Sequence, residues 1–369
     1  MSPAQIEIQL VAVVVAAACA LPGTFLVLRR MAMLSDAISH AILPGIVLAF
    51  FVTRDLASPW LFLAAAATGV LTVALVELLH RTQRVREDAA IGLVFPLLFS
   101  VGVILISRFA GNVHLDTDAV LLGELAFAPF DRFAPGGLDL GPRALWVMGG
   151  ILLANLLAIA AFYKELKLAS FDAGLAAALG FSPVLLHYGL AGLVSLTAVG
   201  AFDAVGSILV VALMIAPPAA AYLLTDRLGT MLGLAVSAGV VAAIGGYWLA
   251  RVLDASIAGS MATTAGGVFL FAWLFAPDRG LVAAARRRAR QRQRFAWTML
   301  AIHLFQHEGR PGEEDETRVD SLHRHLRWTP ATVERVVREA EHEKLVVRDG
   351  ALLRLSEAGR ELARGGITG

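Results

Sequence analysis

The sequence predicts an all-α polytopic membrane bundle of about nine spans, N-terminus outside and C-terminus cytoplasmic, joined to a small α+β domain. Three observations carry this expectation. Hydrophobic residues make up 57% of the 369 positions and charged residues 17%, with a mean hydropathy of +0.70; a soluble chain covers its surface with roughly 25% charged residues. Apolar runs of about 20 residues, the helical length that crosses a ~30 Å hydrocarbon core, recur as far as Ala276. Past them the charge balance reverses, from 14 Lys/Arg against 17 Asp/Glu up to Arg279 to 17 against 13 from Arg286 onward.

The spans are read at 6–28, 34–52, 59–79, 89–106, 145–163, 183–201, 204–224, 231–252 and 257–276. The first lacks a basic n-region and its apolar stretch exceeds a secretory h-region, so it is expected to be retained. If spans alternate, Arg29/Arg30, Arg81/Arg84/Arg86, Lys164/Lys167, Arg227 and the block Arg286, Arg287, Arg288, Arg290, Arg292 and Arg294 share one side. The other side holds the scattered Arg54, Arg108, Arg132, Arg143 and Arg251. The denser set marks the cytoplasm. The segment 120–127 is too short to span and is read as a helix of an outer loop. Gly- and Ala-rich spans and the kink prolines Pro44 and Pro217 point to closely packed helices. The single cysteine, Cys19, excludes a disulfide framework and a thiolate metal site.

The most informative stretch runs from Met33 to Gly45. Asp36 and His40 are four apart, so a helix carries them on one face, one turn from each other. Pro44, four residues further, offers no N–H to the His40 carbonyl. Ionisable groups inside a span are costly and face a bundle interior or a water-filled path. A carboxylate with an imidazole suits manganese, iron or zinc; the same spacing also serves a hydrogen bond that merely pins two helices. Two ligands are fewer than a metal site needs, and Asp203 and Glu77 are possible contributors. His114, Asp116, Asp118 and Glu124 in the predicted outer loop can attract a cation at a pore mouth, or Asp116 and Thr117 can cap a helix with an acidic first turn. No Walker motif, Ser/His/Asp arrangement or phosphate-cradling glycine loop occurs, so no enzyme activity and no ATP hydrolysis by this chain are expected.

Three parts are expected: a membrane domain at 1–280, a basic juxtamembrane linker at 281–294 and a cytoplasmic domain at 295–369. In the last, helices are read at 295–307, 317–326 and 331–343, the third capped by Thr329 with Pro330 following. A hairpin on Asp349-Gly350 follows. Three helices and a hairpin make a winged helix. From Phe295 onward it carries 11 Lys/Arg against 13 Asp/Glu, whereas a duplex binder presents a net basic face, so nucleic acid is not expected as a partner. The preceding arginines suit anionic lipid headgroups. His303, His307, His323, His325 and His342 can serve as metal ligands or as ordinary surface and core histidines.

The run Ser35-Asp36-Ala-Ile-Ser-His40-Ala-Ile-Leu-Pro44-Gly45 resembles the permease subunits of manganese/zinc/iron ATP-binding-cassette importers. The resemblance continues through 115–123, 163–172 and 178–180 to 204–217, in order, and covers nearly all of 6–276. It implies a permease of the bacterial inner membrane that pairs with a second copy or a paralogue, recruits two cytoplasmic ATPase subunits and receives its ion from an extracytoplasmic metal-binding protein. It implies that Asp36 and His40 hold the transported divalent metal, with no other cofactor bound by this chain. It also implies an ATPase-coupling segment over 170–183, comprising Ser170, Phe171, Asp172, Ala178, Leu179, Gly180 and Pro183. The C-terminal domain resembles the N-terminal domain of diphtheria-toxin-repressor-type metalloregulators. Alternatives to this reading are a permease for a chelate or vitamin, and a membrane-tethered metal-responsive transcription regulator.

Overall fold

The computed structural model describes residues 2–54, 58–109, 125–134 and 139–368. The chain divides into two compact units, Met1–Gly280 and Leu281–Gly369.

The first unit is built from helices α1 (Pro3–Leu28), α2 (Met33–Ala41), α3 (Leu43–Thr53), α4 (Pro59–Arg81), α5 (Glu87–Phe109), α6 (Arg143–Ala161), α7 (Tyr163–Phe171), α8 (Ala173–Ala178), α9 (Pro183–Val205), α10 (Ser207–Leu224), α11 (Leu228–Leu253) and α12 (Ile257–Phe275). Among the described residues, nine segments are long and apolar enough to cross a membrane, with α2 and α3 together forming the second. This agrees with the expected number.

Helix α1 starts on a reciprocal cap. The Ser2 hydroxyl accepts from the Gln5 N–H and the Gln5 side chain accepts from the Ser2 N–H, which satisfies two donors of an otherwise open helix start. Its middle is apolar all round and is buried all round, with Val11, Val15, Ala16, Ala18, Cys19 and Phe25 fully enclosed. Helices α6, α9, α10 and α11 pack around it, while α2, α3 and α4 gather with α5 on the other side of α9. Lipid is as apolar as leucine, so association rests on close van der Waals fit and buried hydrogen bonds. Gly23 supplies the fit: a Cβ there would run into the Met214 backbone of α10. Asn155 of α6 supplies the bond. Fully buried, its Nδ2 donates to the Ala18 carbonyl of α1 at 3.1 Å and to Thr197 Oγ1 of α9 at 2.9 Å.

Several boundaries differ from expectation. The second span is interrupted at Ile42, two residues before Pro44, where the His40 carbonyl has lost its helical donor. In contrast, α10 continues through Pro217 and Pro218 without interruption. The sixth span runs on to Val205, beyond the expected 201. It stops at Gly206, whose φ of 81° and ψ of 163° suit glycine alone.

The second unit contains α13 (Leu281–His307), α14 (Glu313–Thr317), α15 (Val319–His325), α16 (Pro330–His342), the antiparallel pair β1 (Val346–Asp349) and β2 (Leu352–Leu355), and α17 (Glu357–Thr368). The basic stretch at 281–294, expected as a linker, is helical and forms the first half of the 27-residue α13. Alanine and arginine are strong helix formers, and no glycine or proline interrupts them. In α16, Thr329 caps the start, and Val333, Val336, Val337 and Ala340 form the buried stripe of an amphipathic helix. That stripe meets Leu300 and Leu304 of α13, Leu322 of α15 and Leu353 of β2 in one core. The hairpin pairs Asp349 with Leu352, so its two turn residues are Gly350 and Ala351, with Gly350 at φ 65°. The positive φ sits where a two-residue hairpin places a glycine.

Candidate metal centre

Asp36 and His40 stand on α2 as their spacing requires. His40 Nε2 lies 3.5 Å from Asp36 Oδ1, and the His40 ring packs 5.6 Å, centre to centre, from Phe95 of α5. The neighbouring serines do not share that opening: both are buried, and Ser35 and Ser39 donate to the Ala32 and Ser35 carbonyls of their own helix. The Asp36 side chain is 45% exposed and that of His40 25%. A carboxylate and an imidazole inside a span are therefore open on one side.

Glu77 and Asp203, the possible contributors, do not join the pair. Each lines a cavity at one end of α9. Glu77, His80 and His187 border a cavity of about 200 Å³ beside Leu34 of α2. Asp203, Asp131 and Arg143 border one of about 280 Å³. His187 and Asp203 are 16 positions apart on α9, or ~24 Å along a helix at 1.5 Å per residue. The two cavities thus lie almost a hydrocarbon thickness apart. Sequence reasoning missed His80 and His187, because the cavity assembles residues from α4 and α9 that no local spacing connects. His114, Asp116, Asp118 and Glu124 lie outside the described residues.

The segment 170–183 is built from two helix caps and a turn. Asp172 caps α8, its Oδ1 accepting from the Leu175 N–H at 2.9 Å, and Ser182 caps α9. Between them Gly180 turns the chain at φ 87°. Phe171, Leu175 and Leu179 are 60%, 48% and 62% exposed, an apolar surface on so short a stretch that ordinary folding leaves unexplained. Behind it, Arg29 Nε donates to Ser170 Oγ at 3.2 Å, tying the segment to the end of α1. Burial lowers the pKa of the Arg29 guanidinium, and its Nη2 has no hydrogen-bond partner among the described residues.

A helical bundle with nine membrane-length segments among the described residues, cavities at both ends of α9 and an acid–imidazole pair on α2 is a polytopic membrane protein. Residues 3–276 match the model of the ABC 3 transport family. The chain is 49% identical over 358 residues to the zinc transport system membrane protein TroD of Treponema pallidum, covering 97% of both chains. It is 50% identical over 275 residues to the manganese transport system membrane protein MntD of Bacillus subtilis, covering 74% of this chain and 93% of that one. Among solved structures, PsaBC from Streptococcus pneumoniae in complex with Fab superposes with a TM-score of 0.63 at 30% identity, over 76% of this chain and 94% of that chain. The chain belongs to the ABC 3 transport family and is a multi-pass protein of the bacterial inner membrane.

Proposed function

We propose that this chain is the permease subunit of an ATP-binding-cassette importer that moves a divalent transition metal into the cytoplasm, manganese first, then zinc or iron. The observation that carries the reading is the Asp36–His40 pair, 3.5 Å apart and open on one face inside a span. No further histidine or acid completes it among the described residues. A second permease copy or a paralogue facing the pair would cover an ionisable surface that lipid cannot, and water or that partner would supply the missing ligands. A site with two ligands from each chain binds with the moderate strength that release requires.

Cavities of about 200 and 280 Å³ suit an ion with a few waters. The exposed apolar side chains of Phe171, Leu175 and Leu179 fit a coupling surface for two ATPase subunits, while an extracytoplasmic binding protein would deliver the ion. The similarity to proteins named for zinc and for manganese transport, at 49% and 50% identity, supports this ligand class without choosing between the two ions. The second unit reads as a winged helix. Four helices precede the hairpin, the short α14 among them, and an isolated bridge from Arg318 to Leu352 adds a third extended segment. Its basic α13 suits anionic lipid at the cytoplasmic face.

The test is uptake of radiolabelled manganese and zinc by cells whose only copy of the gene carries Asp36→Ala or His40→Ala, with membrane levels checked by immunoblot. Uptake should fall to background in both. Normal uptake would remove the pair from the path.

A further inference from the structure

The second unit holds a cluster that the transport reading does not use. His303 and His307 lie one turn apart on α13, with ring centres 4.7 Å from each other. Glu316 of α14 and His325 at the end of α15 close on the same point. Glu316 Oε2 is 2.9 Å from His325 Nδ1 and 3.7 Å from His303 Nε2. One ring nitrogen of His303, one of His307 and a carboxylate oxygen of Glu316 all lie within 4.8 Å of one another.

Three features separate this cluster from a chance meeting of histidines. First, backbone carbonyls occupy one nitrogen on each of two rings: His307 Nδ1 is 2.8 Å from the His303 carbonyl, and His303 Nε2 is 3.0 Å from the Glu316 carbonyl. A carbonyl only accepts, so His307 carries its proton on Nδ1 and His303 on Nε2. The lone pairs that would bind an ion are those of His307 Nε2 and His303 Nδ1, while His303 Nε2 stays with the Glu316 backbone. This is how the outer shell of a metal site orients imidazole ligands. Second, Glu316 Oε2 is sealed from solvent and accepts no hydrogen bond, although His325 Nδ1 is only 2.9 Å away. An approach of 2.9 Å without a directed N–H fits two donors on one shared ion as well as it fits an ion pair. With bonds of about 2.0–2.2 Å, neighbouring ligands on one ion stand ~2.9–3.4 Å apart. Third, the donors are imidazole and carboxylate with no sulfur, a set that suits zinc, manganese, iron(II) or cobalt(II).

We propose that His303, His307 and Glu316, with His325 as fourth ligand, form a divalent transition-metal site in the C-terminal unit, separate from Asp36 and His40. The ion would link α13, α14 and α15, three helices that otherwise meet through a small core. The fold of this unit then becomes more stable as free metal rises, since a ligand that binds only the folded form stabilises it by mass action.

The proposal is tested on the full chain in detergent, stripped with chelator and carrying Asp36→Ala and His40→Ala so that the span pair does not contribute. Cobalt(II) serves as the probe. The parent should retain one equivalent after desalting, zinc should displace it, and the unfolding midpoint should rise with added metal. Adding His307→Gln or Glu316→Gln should weaken cobalt binding at least ten-fold, while His342→Gln, outside the cluster, should leave it unchanged. Unfolding midpoints in chelator check that the variants fold. Zinc X-ray absorption of the loaded parent gives a readout that needs no further variant: imidazole scattering in an all-N/O shell is expected. No bound cobalt in the parent, equal affinity in His307→Gln and Glu316→Gln, or a shell without imidazole would each overturn the site.

Discussion

At the scale of single residues, what matters is where a side chain's hydrogen bonds go. Ser39 sits one position from His40, yet its hydroxyl donates to the Ser35 carbonyl of its own helix at 2.9 Å and is buried. Replacing it with alanine removes a local bond worth about 0.5–1 kcal/mol and no ligand. Ser39→Ala should therefore keep metal uptake within about two-fold of the parent, where Asp36→Asn should lose at least ten-fold. Uptake assays at matched expression compare the two. Asn155 is the opposite case. It holds α1 and α9 through the Ala18 carbonyl and Thr197, and Asn155→Leu keeps the volume but leaves a carbonyl unpaired. A loss of about 1–2 kcal/mol is expected, read as a lower midpoint for thermal unfolding in detergent. The Asp36–His40 pair was legible because i, i+4 spacing is local. The Asn155 bridge was not, since a lone Asn in an apolar run says nothing of which carbonyl it reaches.

At the scale of elements, the spans were legible because length and hydropathy alone decide what crosses a bilayer. Their ends were not, because they depend on which glycine or proline breaks a helix: Gly206 ends α9, and Pro44 interrupts the second span, but Pro217 does not interrupt α10. The helix α17 went unread altogether. Its amphipathic stripe packs onto α13, more than 50 positions earlier, and it is held there by Arg360, which donates to Glu308 at 2.7 Å. The Arg360 guanidinium keeps the Glu308 carboxyl below its usual value near 4.5. The sign follows from linkage. A carboxyl with a depressed folded pKa adds stability that is present above about pH 4.5 and fades as pH falls through its lower folded value. Arg360→Met should thus lower the unfolding midpoint of this unit at pH 7, by a margin that shrinks below about pH 4. Both side chains are about a third exposed, so the effect should also weaken in high salt. Just past the short helix α8, at its C-cap, Leu179 is 62% exposed beside the turn at Gly180. Leu179→Asp leaves the fold intact because nothing covers the side chain. If ATPase subunits dock there, the charge should abolish their co-purification and metal uptake together, while the variant still reaches the membrane.

At the scale of the whole molecule, sidedness is the quantity that connects the parts. On the proposed reading, the density of basic residues at 29–30, 81–86, 164–167 and 286–294 would put the segment 170–183 and the second unit in the cytoplasm. It would likewise put the Glu77–His80–His187 cavity at the inner end of α9 and the Asp203 cavity at the outer end. A reversed chain would turn the importer reading around, because the ATPase surface would face away from ATP. The loops at either end of α11 offer a direct test. Ala255 lies in the loop between α11 and α12, and Asp226 in the loop between α10 and α11; both are exposed. The native thiol, Cys19, is fully buried within α1, so the parent should be almost silent to a membrane-impermeant maleimide. In spheroplasts Ala255→Cys should label within minutes. Asp226→Cys should label only after the membrane is permeabilised, and it also breaks the Asp226–Arg279 ion pair, so Thr225→Cys serves as its companion in the same loop. Labelling of Thr225→Cys or Asp226→Cys in intact spheroplasts, with Ala255→Cys protected, would invert the topology and with it the direction in which the two cavities are read.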